Sequence, residues 1–126
     1  MNDIETRNDI EILMSSFYSK ALVDDTIGFF FTEVVPLQME THMPLIVDFW
    51  ETVVLGKAKY KGNVLEVHQH IHQLSTFKEV HFSRWVTLFQ QTVNELFSGN
   101  NSELIKQRAE SIATIMRIKL LHSGIG

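Results

Sequence analysis

The chain has 126 residues, enough for one domain, and a 44% hydrophobic content with nine Phe and two Trp can fill a core of its own. A 21% charged fraction argues against disorder, and a net charge of -4 without a basic stripe argues against nucleic-acid binding, which needs clustered Lys and Arg. The absence of cysteine excludes disulfides, thiolate zinc sites and a thiol nucleophile, leaving histidine as the obvious soft ligand.

The opening MNDIETRNDIEIL is acidic and lacks the basic start and apolar run of a signal peptide. No apolar run approaches the length that spans a bilayer, so the expectation is a soluble, cytoplasmic protein with residues 1–8 as a flexible lead. Ile10, Leu13, Met14, Phe17, Ala21 and Leu22 then recur at helical spacing, predicting a first helix over about 9–23 with Asn8 and Glu11 as its start signal. Tyr18, beside Phe17 at the edge of this stripe, can bury its ring only if its hydroxyl finds a partner.

In DDTIGFFFTEVVP the helical pattern breaks, and three consecutive phenylalanines need an apolar destination. One or two helical turns under a corner are expected, with Pro36 closing the segment. From Gln38 to Leu55, Met39, Met43, Ile46, Val47, Trp50, Val53 and Val54 form a continuous stripe stopped by Gly56. Pro44 fits best in the first turn, which would leave His42 at a loosely held helix start. A polar turn follows, then a short helix over about 63–74 carrying His68, His70 and His72. Thr76 with Glu79 forms a capping pattern before Val80, Phe82, Trp85, Val86, Phe89, Val93 and Phe97, predicting a helix over 77–97. After SGNNS, Ile105, Ala109, Ile112, Ala113, Met116 and Leu120 predict a last helix over 102–122, stopped by Gly124. No alternating strand pattern and no repeat occurs, so the chain is expected to be a single all-α domain over 1–126.

The chemistry narrows by exclusion. There is no Gly-rich phosphate loop, no GxSxG elbow and no HExxH, and none of the six histidines has a Glu three residues ahead, as a di-iron carboxylate bundle requires. His68 and His72 share a helical face and could begin a zinc site, but no third ligand is evident; taken alone, the cluster reads first as a solvated His-rich surface turn. A flat apolar cofactor with a central metal would use one inward histidine, the Tyr and Trp donors, and the aromatic surplus together. A small helical interaction module, with an incidental or zinc-binding His cluster, is the alternative.

Phe17-Tyr18, the Gly28–Phe31 corner, HMPLIVDFWETVVLG over 42–56, Tyr60-x-Gly62, His68 twelve residues past Gly56, and HFSRWVTLF over 81–89 together resemble the group III truncated haemoglobins. The resemblance runs from about Asp9 to Gly124 and implies a shortened globin, a two-over-two helical sandwich around haem b. It implies His68 as proximal iron ligand, with His72, one turn on, as second choice. Tyr18, His42 and Trp85 would line the distal side, and Phe31 and Ile46 would pack at the haem. Lys57, Lys59, Tyr60 and Arg84 are nearby candidates for the haem carboxylates. Family members bind O2, CO and NO, so reversible binding of a diatomic ligand is the expected function. Detoxification of NO or peroxide is an open extension that would need an electron-donor reductase, and whether the protein is an enzyme is left undecided.

Overall fold

The computed structural model describes residues 1–34, 38–57, 60 and 62–123. Five α-helices follow in order: α1 Arg7–Ala21, α2 Met39–Leu55, α3 Val64–Leu74, α4 Glu79–Leu96 and α5 Asn100–Ser123, with a π-helical turn at Phe30–Val34 ahead of α2. Among the described residues there is no strand, and no helix is long and apolar enough to cross a membrane. The all-α expectation holds; Pro36, Lys59 and Gly124 lie outside the described residues.

Where helix ends differ from expectation, the causes are local. α1 starts at Arg7 because Thr6, not Asn8, caps it: the Thr6 hydroxyl accepts from the Asp9 N–H (3.2 Å) while the Asp9 carboxylate accepts from the Thr6 N–H (3.0 Å). The expected Thr76–Glu79 cap of α4 is not what starts that helix. Instead the Lys78 N–H donates to His81 Nδ1 at 2.9 Å, and Glu79 turns to Arg117 of α5 at 3.4 Å. Pro44 lies inside α2 rather than in its first turn. Its missing donor would have served the carbonyl of Glu40, and both residues are exposed, so water can take that bond. The Gln38 carbonyl accepts from the N–H groups of Thr41 (3.1 Å) and His42 (2.9 Å), so His42 stands on a formed helical turn rather than a loose one.

α1 packs on α2 and α4 on α5, while α1 also crosses α4 and α2 meets α5. The sequence's aromatic surplus goes to the junction of these pairs. Phe89 lies between two indoles, stacked on Trp50 (5.0 Å, 29°) and Trp85 (5.3 Å, 23°), with Phe17 edge-on at 5.4 Å. Such ring pairs add about 0.5–1.5 kcal/mol each to the area they bury. Arg7 clamps α1 to α2 through Asp48 (2.7 Å) and the almost fully buried Glu51 (2.9 Å), and Lys20 ties α1 to Glu95 and Thr92 of α4.

α3 is the exception, since none of its residues is buried although its apolar face is well formed. That face, with Val64, Val67 and Ile71, lines a cavity.

The lead drawn as flexible is anchored in this structure. Ile4 is fully buried, the Asn2 carbonyl accepts from the Ser98 N–H (3.0 Å), and the Asp3 carboxylate caps α5 by accepting from the N–H groups of Asn101 (2.9 Å) and Ser102 (2.8 Å) and the Ser102 hydroxyl (2.7 Å). This cap explains why α5 begins at Asn100, ahead of the expected 102. Gly99 has φ 143°, and a Cβ there would meet the Asp3 carboxyl, so glycine is required twice over. Burial pushes the Asp3 carboxyl up, but the donors from Asn101, Ser102 and Ile4 together leave it below its ordinary value.

A depressed carboxylate stabilises the fold above the unfolded carboxylate range and loses that contribution as pH falls through its folded value. Asp3→Ala is therefore expected to cost about 1 kcal/mol at neutral pH, the usual price of a lost cap. Thermal melts should show the gap between variant and wild type closing as the solution is acidified.

Candidate functional site

α3, the segment joining it to α4, the phenylalanine corner, and faces of α1, α2, α4 and α5 enclose a cavity of about 330 Å³, a volume in the range of small-molecule and cofactor pockets. Its walls are largely apolar: Phe30 and Phe31 from the corner, Ile46 and Phe49 from α2, Val64, Val67 and Ile71 from α3, then Phe77, Phe82, and Ile112, Ala113 and Met116 from α5. The polar side chains that line it are Tyr18, His42, Tyr60, His68, His81 and Trp85.

Hydrogen bonds to backbone groups of known polarity decide the tautomers of His42, His68, His72 and His81. His68 Nδ1 lies 2.8 Å from the Val64 carbonyl, one turn back on α3. A carbonyl can only accept, so Nδ1 carries the proton and Nε2 keeps its lone pair. Burial is the larger effect and lowers the pKa of this imidazole, favouring the neutral form, while the bond to Val64 opposes it. Phe77 packs 6.2 Å from the ring. The result is a neutral, anchored imidazole whose free ring nitrogen is the one a metal would use.

His72 is oriented the other way. The Phe77 N–H donates to its Nδ1 at 3.0 Å, so in the neutral ring the proton sits on Nε2, and the ring stacks on Phe77 at 5.9 Å and 9° without lining the cavity. One turn of helix and a backbone donor thus separate the two candidates. His70 is exposed. Among the described residues no group of three or more His, Asp or Glu is placed to hold a metal ion, so the zinc alternative finds no assembled site there.

Tyr18 and Trp85 supply donors. Tyr18 packs edge-on against Phe17 (5.0 Å) and Phe31 (5.5 Å), and burial pushes its hydroxyl far above the ordinary phenol value, so it remains protonated. Neither the Tyr18 hydroxyl nor the Trp85 indole N–H bonds to a described protein group. Neither is sealed off without a partner, and both side chains line the cavity. A donor sealed in an apolar pocket without an acceptor costs about 1–3 kcal/mol, so a molecule filling this cavity would do best to offer these two an acceptor.

His42, half-buried on α2, places its Nδ1 3.0 Å from the Gln38 carbonyl, so it too has its proton on Nδ1 and its Nε2 lone pair free. In that tautomer it accepts and does not donate. His81 is the reverse, since its Nδ1 accepts the Lys78 N–H and its Nε2 is the donor; its ring sits against Phe29 (5.7 Å) and Phe30 (4.9 Å). Its place in the cavity was not foreseen, yet the signal existed: it is four residues before Trp85 and so shares that face of α4.

The corner that presents Phe31 is braced by Asp24. One carboxylate oxygen accepts from the N–H groups of Thr26 (3.0 Å) and Ile27 (3.1 Å), and the other from Arg84 Nε (2.8 Å). Arg84 is thereby committed to the corner. Its bond is the first cause of the lowered Asp24 pKa, reinforced by the two backbone donors against desolvation.

An all-α fold with paired helices over an apolar pocket, and an imidazole on α3 anchored through Nδ1 with its Nε2 free, has the architecture of a globin. The comparisons agree. The group 3 truncated hemoglobin ctb of Campylobacter jejuni is 31% identical over 125 residues, spanning 95% of this chain and 96% of the relative. The crystal structure of the group III truncated hemoglobin from Campylobacter jejuni matches with a TM-score of 0.81 at 27% identity, covering 95% of each chain. No family model matches. The chain belongs to the group III truncated haemoglobins.

Tyr18, Phe31, His42, Ile46, His68 and Trp85, which the resemblance singled out, all line the one cavity. The Asp24 brace gives a test of the corner. Because the Asp24 pKa is depressed, its contribution is complete above the ordinary carboxylate range and fades as pH falls through the folded value. Asp24→Asn should lower Tm by several degrees at pH 7 and by much less in acid, where wild type has lost the same contacts.

Proposed function

We propose that the cavity holds haem b with His68 Nε2 as the protein ligand to iron, and that the protein reversibly binds O2 or a related diatomic ligand beside Tyr18 and Trp85. Haem iron supplies the coordination position for that ligand. The residues present fit such a group: a largely apolar cavity with aromatic walls, a neutral imidazole with one fixed nitrogen and one free, and two donors without acceptors among the described residues. The observation that carries the reading is the His68 ring, turned by the Val64 carbonyl so that its lone pair is the one left for the cavity.

The other residues divide the work. Phe31 and Ile46 pack against the macrocycle, and the Tyr18 hydroxyl and Trp85 N–H stabilise partial negative charge on the ligand from rigid rings that lose little entropy in doing so. His42, an acceptor in its present tautomer, shapes the ligand's access and does not compete with these donors. Turnover of NO or peroxide would draw electrons from a separate reductase in the cytoplasm. α3 completes the site only when something fills the space under Val64, Val67 and Ile71. Haem uptake should therefore slow amide exchange in α3 more than in α1 or α4.

Protein purified with haem supplied should give a Soret band that shifts with CO, and His68→Ala should abolish that spectrum while His72→Ala preserves it. Tyr18→Phe and Trp85→Phe should each change O2 dissociation about tenfold or more, from a hydrogen bond of about 1.5–3 kcal/mol to a charged acceptor. Wild-type off-rates in both variants would remove the assignment of these donors.

A further inference from the structure

Residues 75–78 join α3 to α4 and lie outside both helices. The Ser75 N–H still returns to the Ile71 carbonyl at 2.9 Å. The N–H groups of Phe77 and Lys78 meet imidazoles instead, His72 Nδ1 taking the first at 3.0 Å and His81 Nδ1 the second at 2.9 Å. Lys78 carries no ring, but Phe77 does, and that ring touches both cavity-side histidines of α3. It lies face to face with His72 (5.9 Å, 9°) and tilted against His68 (6.2 Å, 34°), and it packs as well on Phe30 (4.6 Å) and Phe82 (5.6 Å).

The Val64 carbonyl holds His68 by one edge. Hydrogen bonds to a carbonyl accept a broad range of angles, so this one fixes the tautomer and not the plane of the ring. A second contact must stop the ring swinging about that edge, and Phe77 is the aromatic wall that meets it. Where the Phe77 ring stands follows from its backbone, and that backbone is tied at the N–H by His72. The bond and the parallel stack act on the same residue from the same imidazole, so His72 sets both the position of Phe77 and the tilt of its ring.

We propose that His72 is a positioning residue for His68, acting through Phe77, so that the Nε2 lone pair of His68 keeps one direction into the cavity. The use of that direction rests on the haem reading above, because the partners that orient a metal-ligating imidazole govern how well it holds the metal. The two histidines one turn apart on α3 then have different tasks, His68 to present a nitrogen and His72 to aim it.

The test uses His72→Phe and His72→Leu, which keep apolar bulk beside Phe77 without an acceptor, and His72→Asn, whose amide oxygen offers an acceptor in place of Nδ1. In wild-type apoprotein the His68 ring should give one sharp set of long-range proton–nitrogen correlations. Both apolar variants should broaden or split that set and speed amide exchange at Phe77 about tenfold or more, and His72→Asn should restore both. With haem loaded, the ferrous iron–imidazole stretching band in resonance Raman spectra should be displaced in the apolar variants and return in His72→Asn. Faster exchange at Phe77 with the His68 signals and the band unmoved would make His72 a tether of the chain alone and overturn the proposal, as would failure of His72→Asn to restore them. A wild type whose band is absent, or survives His68→Ala, refutes the haem reading instead, and the apoprotein comparison still decides whether His72 orients the His68 ring.

Discussion

A single hydrogen bond, from His68 Nδ1–H to the Val64 carbonyl, determines what this cavity can do. In free energy it is modest, about 1 kcal/mol for a neutral pair. Its importance is directional. By fixing the proton on one ring nitrogen it leaves the other with its lone pair toward the cavity, and burial keeps the ring neutral. A carbonyl one turn earlier on the same helix is the least costly means of doing this, because α3 supplies both partners.

The same logic separates the histidines that sequence spacing could not. His68 and His72 face the same way on an ideal helix, but α3 ends at Leu74 and the chain turns back so that the Phe77 N–H meets His72 Nδ1. That donor inverts the tautomer and draws the ring onto Phe77. His81 is likewise inverted by the Lys78 N–H. Two of the four imidazoles therefore hold the chain between α3 and α4, and two, His42 and His68, turn free lone pairs toward the pocket. The rigid support comes from elsewhere: the Phe89 ring between Trp50 and Trp85 joins α2 to α4 and sets the position of the indole donor.

Helix content was legible in the sequence because the stripes of α1, α2, α4 and α5 repeat at 3.6 residues and bury against one another. The family resemblance singled out Tyr18, Phe31, His42, Ile46, His68 and Trp85, and all six line the cavity. What escaped depended on contacts distant in sequence. Asp3 caps a helix 98 residues away, so nothing near it could reveal that the lead is anchored. Arg84 looked like a free cation until folding placed it on Asp24, 60 residues earlier. Pro44 suggested a late helix start because its local penalty is real, but exposure of Glu40 makes the penalty affordable.

The tautomers can be observed without any cofactor. Long-range proton–nitrogen correlation NMR of the histidine rings in the apoprotein should show His68 and His42 protonated at Nδ1 and His72 and His81 protonated at Nε2. A His68 ring carrying its proton on Nε2 would mean that the nitrogen facing the cavity is not available to a metal, and would contradict the account at its base.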